Sequence, residues 1–353
     1  MKRILSYLSL ILALVSCEKG TVLHPQEPGE WGGYITFSTG IETKTPINEN
    51  MRGKDFGVLA YSYTSNWATA RPVSTPDLFY NQLVECDNNG ICTYDSSVEN
   101  GIQLKEWDLS KIYSFFAYYP TSSHNYINIS ASDKTDMPTV TYTFPFASTI
   151  TVPGNTNLVD LLTASSTDQT GRGSGKVAFN FEHRLFCFEI LANNYNDDKP
   201  IDIKNLKLTL SGLKHKSITV PMMASDSRTE VVKTSRDDPS SVTFNISDAT
   251  TTATIPSFKN GGTSFDLSKN CSVTNDGYLM LIPQDGEITG EFTWDMQTEE
   301  GITTSITESF TTNLDFQEGK KYSIIINFAG DAITIAIIEA GNWSVNDVET
   351  EFE

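Results

Sequence analysis

Short segments in which apolar residues alternate with polar ones, or run together, recur along the whole chain. They occupy residues 34–37, 58–61, 140–144, 206–210, 242–246 and 324–328. Clusters of Gly, Pro, Asn and Asp separate them, and segments of this kind predict β-strands. Alternation is typical of antiparallel sheets with one solvated face. The pattern therefore predicts an all-β fold of antiparallel sheets, with the β-sandwich as its default architecture.

Helices and one long strand can also be judged from this pattern. No stretch of ten or more residues places apolar side chains at the i, i+3, i+4 and i+7 spacing, so helices should be few and short. Residues 177–190 form a long strand candidate whose apolar positions change from odd to even near His183. A bulge or bend at His183 and Arg184 would re-aim the side chains in this way.

The length of the chain predicts two domains. For 353 residues, two domains of roughly 150 to 180 residues are favoured over a single core. The stretch 165–176 is polar and contains three Gly residues, which is typical of a boundary. We therefore predict an N-terminal β-sandwich domain over residues 31–170 and a C-terminal one over residues 171–353.

The N-terminus has the features of an export signal. Lys2 and Arg3 precede an uncharged, mostly apolar run over residues 4–15. This run is shorter than the ~20 residues that a helix needs to span a bilayer. We predict a signal peptide over residues 1–16.

The end of the signal peptide resembles the lipobox of bacterial lipoproteins, in which a Cys thiol carries a diacylglyceryl group. The residues concerned are Leu14, Val15, Ser16 and Cys17. We predict lipidation at Cys17, followed by a tether, so that residues 17–30 hold the folded part away from the outer membrane. Two or more acyl chains anchor a protein stably where one does not. The alternative is an ordinary secretory signal with an incidental Cys.

The chain is strongly acidic. Its 25 Lys+Arg and 44 Asp+Glu give a formal charge of −19, and loss of Lys2 and Arg3 would leave 23 − 44 = −21. Nucleic-acid binding needs clustered Lys and Arg, and the sequence has no such cluster, so we exclude nucleic acid as a partner. An acidic body also repels an anionic membrane surface, so attachment is left to the lipid.

Four Cys residues remain besides the lipobox Cys. Cys86 and Cys92 flank a hairpin-type turn, and pairing about Asn89 would place them opposite each other on neighbouring strands. Export permits a disulfide between them, but strain depends on the register, so a disulfide and two thiols both stay open. Cys187 and Cys271 are expected to be free thiols.

No group of residues points to catalysis. The four His residues are scattered, and no Cys pair or Cys/His cluster has zinc spacing. The stretch 171–175 superficially resembles a phosphate loop, but it precedes a strand and so lacks a helix N-terminus; a flexible linker is the simpler interpretation. We predict no enzyme activity, no metal site and no cofactor.

Several separated segments resemble, in the same order, those of one known family. After the lipobox they are residues 34–37, 42–46, 56–60, 78–81 with Val84, Trp107, 113–120, 160–164, 177–183, 279–284, 319–324 and 337–343. The most informative are Phe-Phe-Ala-Tyr-Tyr-Pro at 115–120, Phe-x-His at 181–183 and Leu-Ile-Pro-Gln at 281–284. The sequence is similar to the fimbrillin-like (Mfa-like) family of surface lipoproteins, which build type V pili in Gram-negative bacteria of gut and mouth. The resemblance implies two transthyretin-like β-sandwich domains in tandem.

The resemblance also implies a mechanism of assembly. In this family a trypsin-like protease cuts after a basic residue and removes the first strand, and a strand from the next subunit fills the groove. Here the removable strand would be residues 33–40, with Tyr34, Ile35 and Phe37 as its apolar content. The donor candidate is the segment 332–343, which is equally well interpreted as the last core strand of the second domain.

Three basic residues follow the removable strand and are candidate cut sites: Lys44, Arg52 and Lys54. Stalk pilins of the family usually have Arg at this site, whereas here Lys44 precedes Thr45 and Pro46. Without cleavage the lipid and the body stay joined, and the protein would be an anchor or accessory subunit. The alternative interpretation of these residues is solvated loop charge.

The implied partners are other fimbrillin-like subunits, in a homo- or hetero-polymer that supports adhesion, the processing protease, and outer-membrane lipid through Cys17. A different class of function is a monomeric surface lipoprotein that binds glycans or proteins, which the aromatic content permits without indicating it. A β-sandwich hydrolase is the least supported, because no acid/base or nucleophile group emerges.

Overall fold

The computed structural model describes residues 33–39, 51–70, 75–97, 101–131, 138–143, 149–152, 159–172, 175–194, 202–214, 217–223, 239–245, 265–266, 279–297, 301–313, 315–329 and 332–342. Within these residues the only helix is a single turn, α1 (Trp67–Ala70). No helix in this part of the chain is long and apolar enough to cross a membrane. The prediction of an all-β chain with few and short helices is confirmed for the described residues.

The strands of the described ranges are, in chain order, β1 (Thr36–Thr39), β2 (Asp55–Tyr63), β3 (Phe79–Cys86), β4 (Cys92–Thr93), β5 (Ile112–Tyr119), β6 (Ile127–Ser130), β7 (Thr139–Thr143), β8 (Thr149–Val152), β9 (Leu162–Gln169), β10 (Lys176–Phe179), β11 (Glu182–His183), β12 (Phe186–Asn194), β13 (Asp202–Lys214), β14 (Ser217–Pro221), β15 (Pro239–Asn245), β16 (Phe265–Asp266), β17 (Leu279–Leu281), β18 (Glu287–Gln297), β19 (Thr303–Asn313), β20 (Lys320–Ala329) and β21 (Ala332–Asn342). The six segments predicted from the pattern fall on β1, β2, β7, β13, β15 and β20.

These strands form four sheets among the described residues. The largest has the order β10-β1-β4-β3-β2-β5-β9-β11. A three-stranded sheet has the order β14-β7-β6, and two five-stranded sheets have the orders β16-β12-β20-β21, with β17 also on β12, and β19-β18-β13-β15-β8. Three pairs are parallel, namely β1 with β10, β12 with β20 and β8 with β15, and they depart from the predicted antiparallel pairing.

The eight-stranded sheet is rolled around an aromatic core. Phe179 of β10 packs edge-on against Phe56 of β2, with ring centroids 5.8 Å apart. Phe37 of β1 packs in the same way against Phe115 of β5, at 5.9 Å. These strands are four places apart in the sheet order, which would separate them by roughly 19 Å in a flat sheet. We call this curled sheet the rolled sheet.

Strands β2 and β5 of the rolled sheet are buried on both faces. In β2, Phe56 and Val58 point into the rolled core, whereas Leu59 and Tyr61 join a second core that also contains side chains of the three smaller sheets. Double burial favours continuous apolar runs over alternation, which accounts for the uniformly apolar segment 58–61. The expectation of one solvated face is wrong for these strands.

The long strand predicted over residues 177–190 is divided into β10, β11 and β12. β10 and β11 belong to the rolled sheet, while β12 lies between β16 and β20 in another sheet. The chain leaves the rolled sheet between His183 and Phe186, so the change of apolar phase marks a transfer between sheets and not a bulge.

Arg184 is buried where the chain changes sheets. Its side chain is 1% exposed, and its Nη2 atom donates a hydrogen bond to the carbonyl of Pro221 at 3.0 Å. Its Nη1 atom lies 3.4 Å from the Glu318 carboxylate, and its backbone N–H donates to the Leu161 carbonyl at 2.8 Å. One residue thus joins the rolled sheet, the end of β14 and the loop before β20.

Strands from both sides of residue 171 share sheets. β10 and β11 complete the rolled sheet, β14 pairs with β7, and β15 pairs with β8. The second core contains residues of both halves of the chain. The division into domains at residue 171 stays a prediction.

Candidate functional site

Strand β1 lies within the rolled sheet, between β10 and β4. Four parallel pairs join it to β10, from Thr36 opposite Lys176 to Thr39 opposite Phe179. On its other side, one antiparallel pair places Phe37 opposite Cys92 of β4. Removal of β1 would therefore open a gap between two strands. We call the space that β1 fills, bounded by β10 and β4, the β1 slot.

The floor of the β1 slot is aromatic. The Phe37 side chain is 2% exposed. Its ring centroid lies 5.9 Å from that of Phe79, 5.5 Å from Tyr94, 5.9 Å from Phe115 and 5.6 Å from Phe179. Aromatic pairs at such distances contribute about 0.5–1.5 kcal/mol each beyond burial. Phe37 is therefore the principal anchor of β1.

Two of the three apolar residues assigned to the removable strand face the core. Ile35 is 0% and Phe37 2% exposed, whereas Tyr34 is 45% exposed. Successive side chains of a strand point to opposite faces, so Tyr34 lies outside. Burial of Ile35 and Phe37 contributes about 1.5–3 kcal/mol each. The next inward residue is Thr39, whose buried hydroxyl has no hydrogen-bond partner among the described residues.

Tyr94 forms a hydrogen bond with the backbone next to Thr36, the first residue of β1. Its hydroxyl donates a hydrogen bond to the Ile35 carbonyl at 2.9 Å and accepts one from the Lys105 N–H at 3.1 Å. Burial raises the pKa of Tyr94 to about 12. The phenol therefore keeps its proton at neutral pH and remains a donor to β1.

Trp107 and Gly175 form hydrogen bonds at the start of the strand. The Gly175 carbonyl accepts hydrogen bonds from the Thr36 N–H at 3.3 Å and from Trp107 Nε1 at 3.1 Å. The Trp107 N–H donates to the Gly33 carbonyl at 3.2 Å. A Cβ atom at Gly171 would lie 2.4 Å from Cβ of Trp107, so only glycine fits there. The two ends of the stretch interpreted as a flexible linker are thus packed against Trp107.

The other wall of the slot is a hairpin of β3 and β4. Cys86 and Cys92 lie opposite each other in its ladder and are joined by a disulfide. In the turn, the Asp87 carboxylate accepts hydrogen bonds from the N–H groups of Ile91 and Asn89, both at 2.8 Å. These bonds, the one from Ile91 foremost, lower the pKa of Asp87. The bridge and the turn together fix the strand that faces Phe37.

Two of the candidate cut sites lie in one turn beside this hairpin. Arg52 is exposed, and Lys54 places its ammonium 5.3 Å from the ring centroid of Tyr119. The Lys54 N–H donates to the Met51 carbonyl at 3.0 Å, and its carbonyl accepts from the Cys86 N–H at 3.3 Å. The backbone of Lys54 is therefore hydrogen-bonded through both its N–H and its C=O, and the N–H of Gly53, between the two candidates, donates to the Asp87 carbonyl at 3.2 Å.

The remaining predicted site residues lie outside the described residues. They are the lipobox residues Leu14, Val15 and Ser16, the lipidation residue Cys17, and the third cut-site candidate Lys44. Their roles stay predictions.

Residues 332–342 of the donor candidate form β21, at the edge of a five-stranded sheet, and Trp343 lies outside the described residues. Strand β21 pairs antiparallel with β20 along its length. Ile335 and Ile337 pack against the second core, while Ile338 is 47% exposed. In this state β21 is an outer strand of its own sheet, and donation to another subunit would require it to leave β20.

Reasoning from the sequence identified β1 but missed the residues that hold it. Tyr94 follows Cys92 by two positions, so strand alternation alone could have placed both on the inward face. Phe79 and Phe179 come from strands distant in sequence, and no local pattern pairs them with Phe37. Among the described residues, no group of three or more His, Cys, Asp or Glu could hold a metal ion.

Comparison with known proteins identifies the family. The fimbrillin-like family model matches residues 43–343, and the chain belongs to this family. Membership supports a role in pili or adhesion at the cell surface. No curated protein matches the chain significantly.

Solved structures show the same fold at low sequence identity. A fimbrial protein from Bacteroides vulgatus is 19% identical, with a TM-score of 0.58 over 88% of this chain and 99% of that one. A cell-adhesion candidate from Bacteroides ovatus is 17% identical, with a TM-score of 0.51 over 89% of this chain and 97% of that one. At these identities the likeness concerns the fold alone.

Proposed function

We propose that this protein is a structural subunit of a cell-surface fimbria, and that its subunits join by exchanging a strand in the β1 slot. The observation that carries the proposal is the position of β1, which is near the N-terminus yet buried between two strands of the rolled sheet. Membership in the fimbrillin-like family supports the same role. A non-enzymatic function follows from it.

The proposed exchange uses the chemistry of strand addition. Once β1 has left, β10 presents unpaired N–H and C=O groups, and the pockets for Ile35 and Phe37 are open above the aromatic floor. An incoming strand regains the main-chain hydrogen bonds, while alternate side chains fill the pockets. Two filled pockets contribute about 3–6 kcal/mol, and a longer donor would add contacts along the slot.

We place the processing cut at Lys44. A protease needs an accessible, unpaired backbone, and sites in folded segments are cut through transient opening. Arg52 and Lys54 lie in the hydrogen-bonded turn beside the hairpin, so cleavage there requires local opening. Lys44 follows β1 by a few residues, and a cut there would free that strand together with the lipid-bearing N-terminus.

Before the cut, the lipid on Cys17 holds the subunit on the outer membrane. If the cut does not occur, lipid and body stay joined and the protein serves as an anchor or accessory subunit. The acidic body disfavours contact with anionic lipids, which supports a tether between lipid and fold. We further propose that the fold comprises two transthyretin-like domains in tandem.

Limited proteolysis followed by assembly tests the proposal. The detergent-solubilised full chain is treated with a trypsin-like protease, and the new N-terminus is mapped by mass spectrometry. We expect a cut after Lys44, followed by concentration-dependent, SDS-resistant ladders. The variant Lys44→Gln should abolish the cut, whereas Arg52→Gln, its matched control, should leave it unchanged.

Two results would decide against strand exchange. A chain that resists the protease and stays monomeric removes the polymerising role and leaves an anchor or a monomeric surface lipoprotein that binds glycans or proteins. A chain that is cut after Lys44 but forms no ladders shows that release of β1 does not drive assembly.

A further inference from the structure

Strand β19 is a long strand at one end of the sheet β19-β18-β13-β15-β8. It pairs with β18 from Thr303 opposite Gln297 to Asn313 opposite Glu287, without a register shift. Among the described strands, β18 is its only sheet neighbour. Its side chains are exposed except at Ile306, Phe310 and Thr312, which are half-buried. The outer N–H and C=O groups of β19 therefore have no strand partner among the described residues.

This edge lacks the usual protection against pairing. Natural edge strands are short, bulged, interrupted by Pro or marked with charges, especially Lys. β19 spans 11 residues, contains neither Pro nor Lys, and carries one charge, on Glu308. In a chain with a net charge of −19, this strand is unusually neutral. Like charges on an acidic protein repel a second copy, and this strand contributes little to that repulsion. The neutrality favours a second copy of the same chain as the partner.

We propose that β19 pairs antiparallel with β19 of a second copy, around a two-fold axis perpendicular to the sheet. Such an axis makes the two edges self-complementary, because the same surface is used by both copies. Side chains from the same face then meet across the axis. The two five-stranded sheets would join into one continuous sheet.

The side chains select one register. One face of the strand carries Ile306 and Phe310, which pack against the second core, and continues to Ile302, which is 58% exposed. With the axis at Ile306, this residue faces its own copy and Ile302 faces Phe310 of the second copy. Glu308 then faces Thr304, so the two carboxylates are about 13 Å apart along the strand and are screened at physiological salt.

Neighbouring registers are less favourable, because they bring like charges together or remove the apolar contact. With the axis at Glu308, the two carboxylates face each other with Cβ atoms about 5 Å apart, and like charges directly opposite are destabilising. With the axis at Thr307, Ile306 faces Glu308 and the apolar contact is lost. The axis at Ile306 is the register that combines apolar contact with separated charges.

Cysteine substitutions test both the pairing and the register. The uncleaved full chain in mild detergent is oxidised with copper phenanthroline, and dimers are separated on a non-reducing gel. Ile306→Cys should cross-link to itself, because directly opposed Cβ atoms are within disulfide reach. Ile302→Cys and Phe310→Cys should each remain monomeric alone and should cross-link when mixed. The parent chain measures the background from its own Cys residues.

A second variant tests the interaction without a cross-link. Ile306→Lys places two ammonium groups opposite each other and should weaken self-association at least 10-fold in sedimentation equilibrium. Ser305→Lys is the matched control on the opposite face of the strand. In this register position 305 faces Thr307 of the second copy and not itself, so the association constant should change by less than about 3-fold. Near-UV circular dichroism verifies that both variants are folded.

Several results would overturn the pairing. Cross-linking that is equal at all positions indicates random collision, and the absence of a dimer in every arm excludes an edge-to-edge pair. Self-linking at Thr307→Cys in place of Ile306→Cys would overturn the register. The assay uses the uncleaved chain, so its outcome is independent of strand exchange in the β1 slot.

Discussion

Replacement of Phe37 by Ala is expected to release β1 before the rest of the protein unfolds. Phe37 sits at the centre of the β1 slot, in contact with the rings of Phe79, Tyr94, Phe115 and Phe179. On the β4 side, its backbone makes the single residue pair of β1. Truncation therefore removes the main anchor of a short strand. The strand is otherwise held by β10 and by hydrogen bonds to Tyr94 and Gly175.

The expected loss follows from the burial of the ring. Truncation of a buried Phe to Ala costs about 3–5 kcal/mol, and partial collapse of the site sets the position within that range. The four ring contacts are part of this cost and are not added to it. A loss of about 4 kcal/mol raises the open population of β1 about 1,000-fold, at 1.4 kcal/mol for each factor of ten.

Amide hydrogen exchange measures that opening directly. In the full chain, exchange of a peptide covering β1 should accelerate about 1,000-fold in Phe37→Ala, up to the limit set by global unfolding. Peptides from β12 and β20, in another sheet, should change much less. Tyr34→Ala is the matched control, because Tyr34 lies on the same strand but is 45% exposed and should have little effect.

Two outcomes would refute this reasoning. Unchanged exchange in β1 would mean that Phe37 does not anchor the strand. Equal acceleration in β1, β12 and β20 would mean that β1 unfolds only together with the whole protein, so that the slot could not exist as an empty, folded intermediate.

Three further predictions concern the surroundings of the slot and the crossing between sheets. Thr39→Val removes a buried hydroxyl that has no hydrogen-bond partner among the described residues, and should raise the free energy of unfolding by about 1 kcal/mol in urea titrations; a decrease would show that the hydroxyl is satisfied. The pKa of Asp87 is lowered by the Ile91 amide, so its stabilising effect is present above its ordinary value of 3.8 and is lost as the pH falls through the lowered pKa. Asp87→Asn should therefore flatten the acid limb of stability below pH 3.8, and an unchanged limb contradicts this. Arg184→Met leaves Glu318 without its buried cation and should lower the free energy of unfolding by about 2–4 kcal/mol; a change below about 0.5 kcal/mol would contradict a role at the crossing.

The strands were predictable because each depends on local alternation and turn residues. The segments around Tyr61, Val140 and Ile324 needed no long-range information. Double burial of β2 was not predictable, because it depends on two cores contributed by distant segments. The pairing of Thr36 with Lys176 could not be predicted either, since no local signal selects a parallel partner so far along the chain.

The candidate site could likewise be predicted from the sequence only in part. The resemblance to a family identified the removable strand, and alternation placed Ile35 and Phe37 on one face. The Cys86 and Cys92 pair could be placed by a short turn, because its geometry is local. The contacts of Gly171 and Gly175 with Trp107 could not be predicted, because a Gly-rich stretch has the same sequence signal whether its glycines lie in a linker or pack against an indole ring.

Rebinding of β1 to the opened slot tests the central claim most directly. The chain is cut, its N-terminal fragment is removed, and a fluorescent peptide of residues 31–42 is added while anisotropy is recorded. Strand exchange predicts saturable one-to-one binding, displacement by a peptide of residues 332–342, and binding about 100- to 1,000-fold weaker when the 31–42 peptide carries Phe37→Ala. Absence of binding, or binding that does not depend on Phe37, would contradict the account.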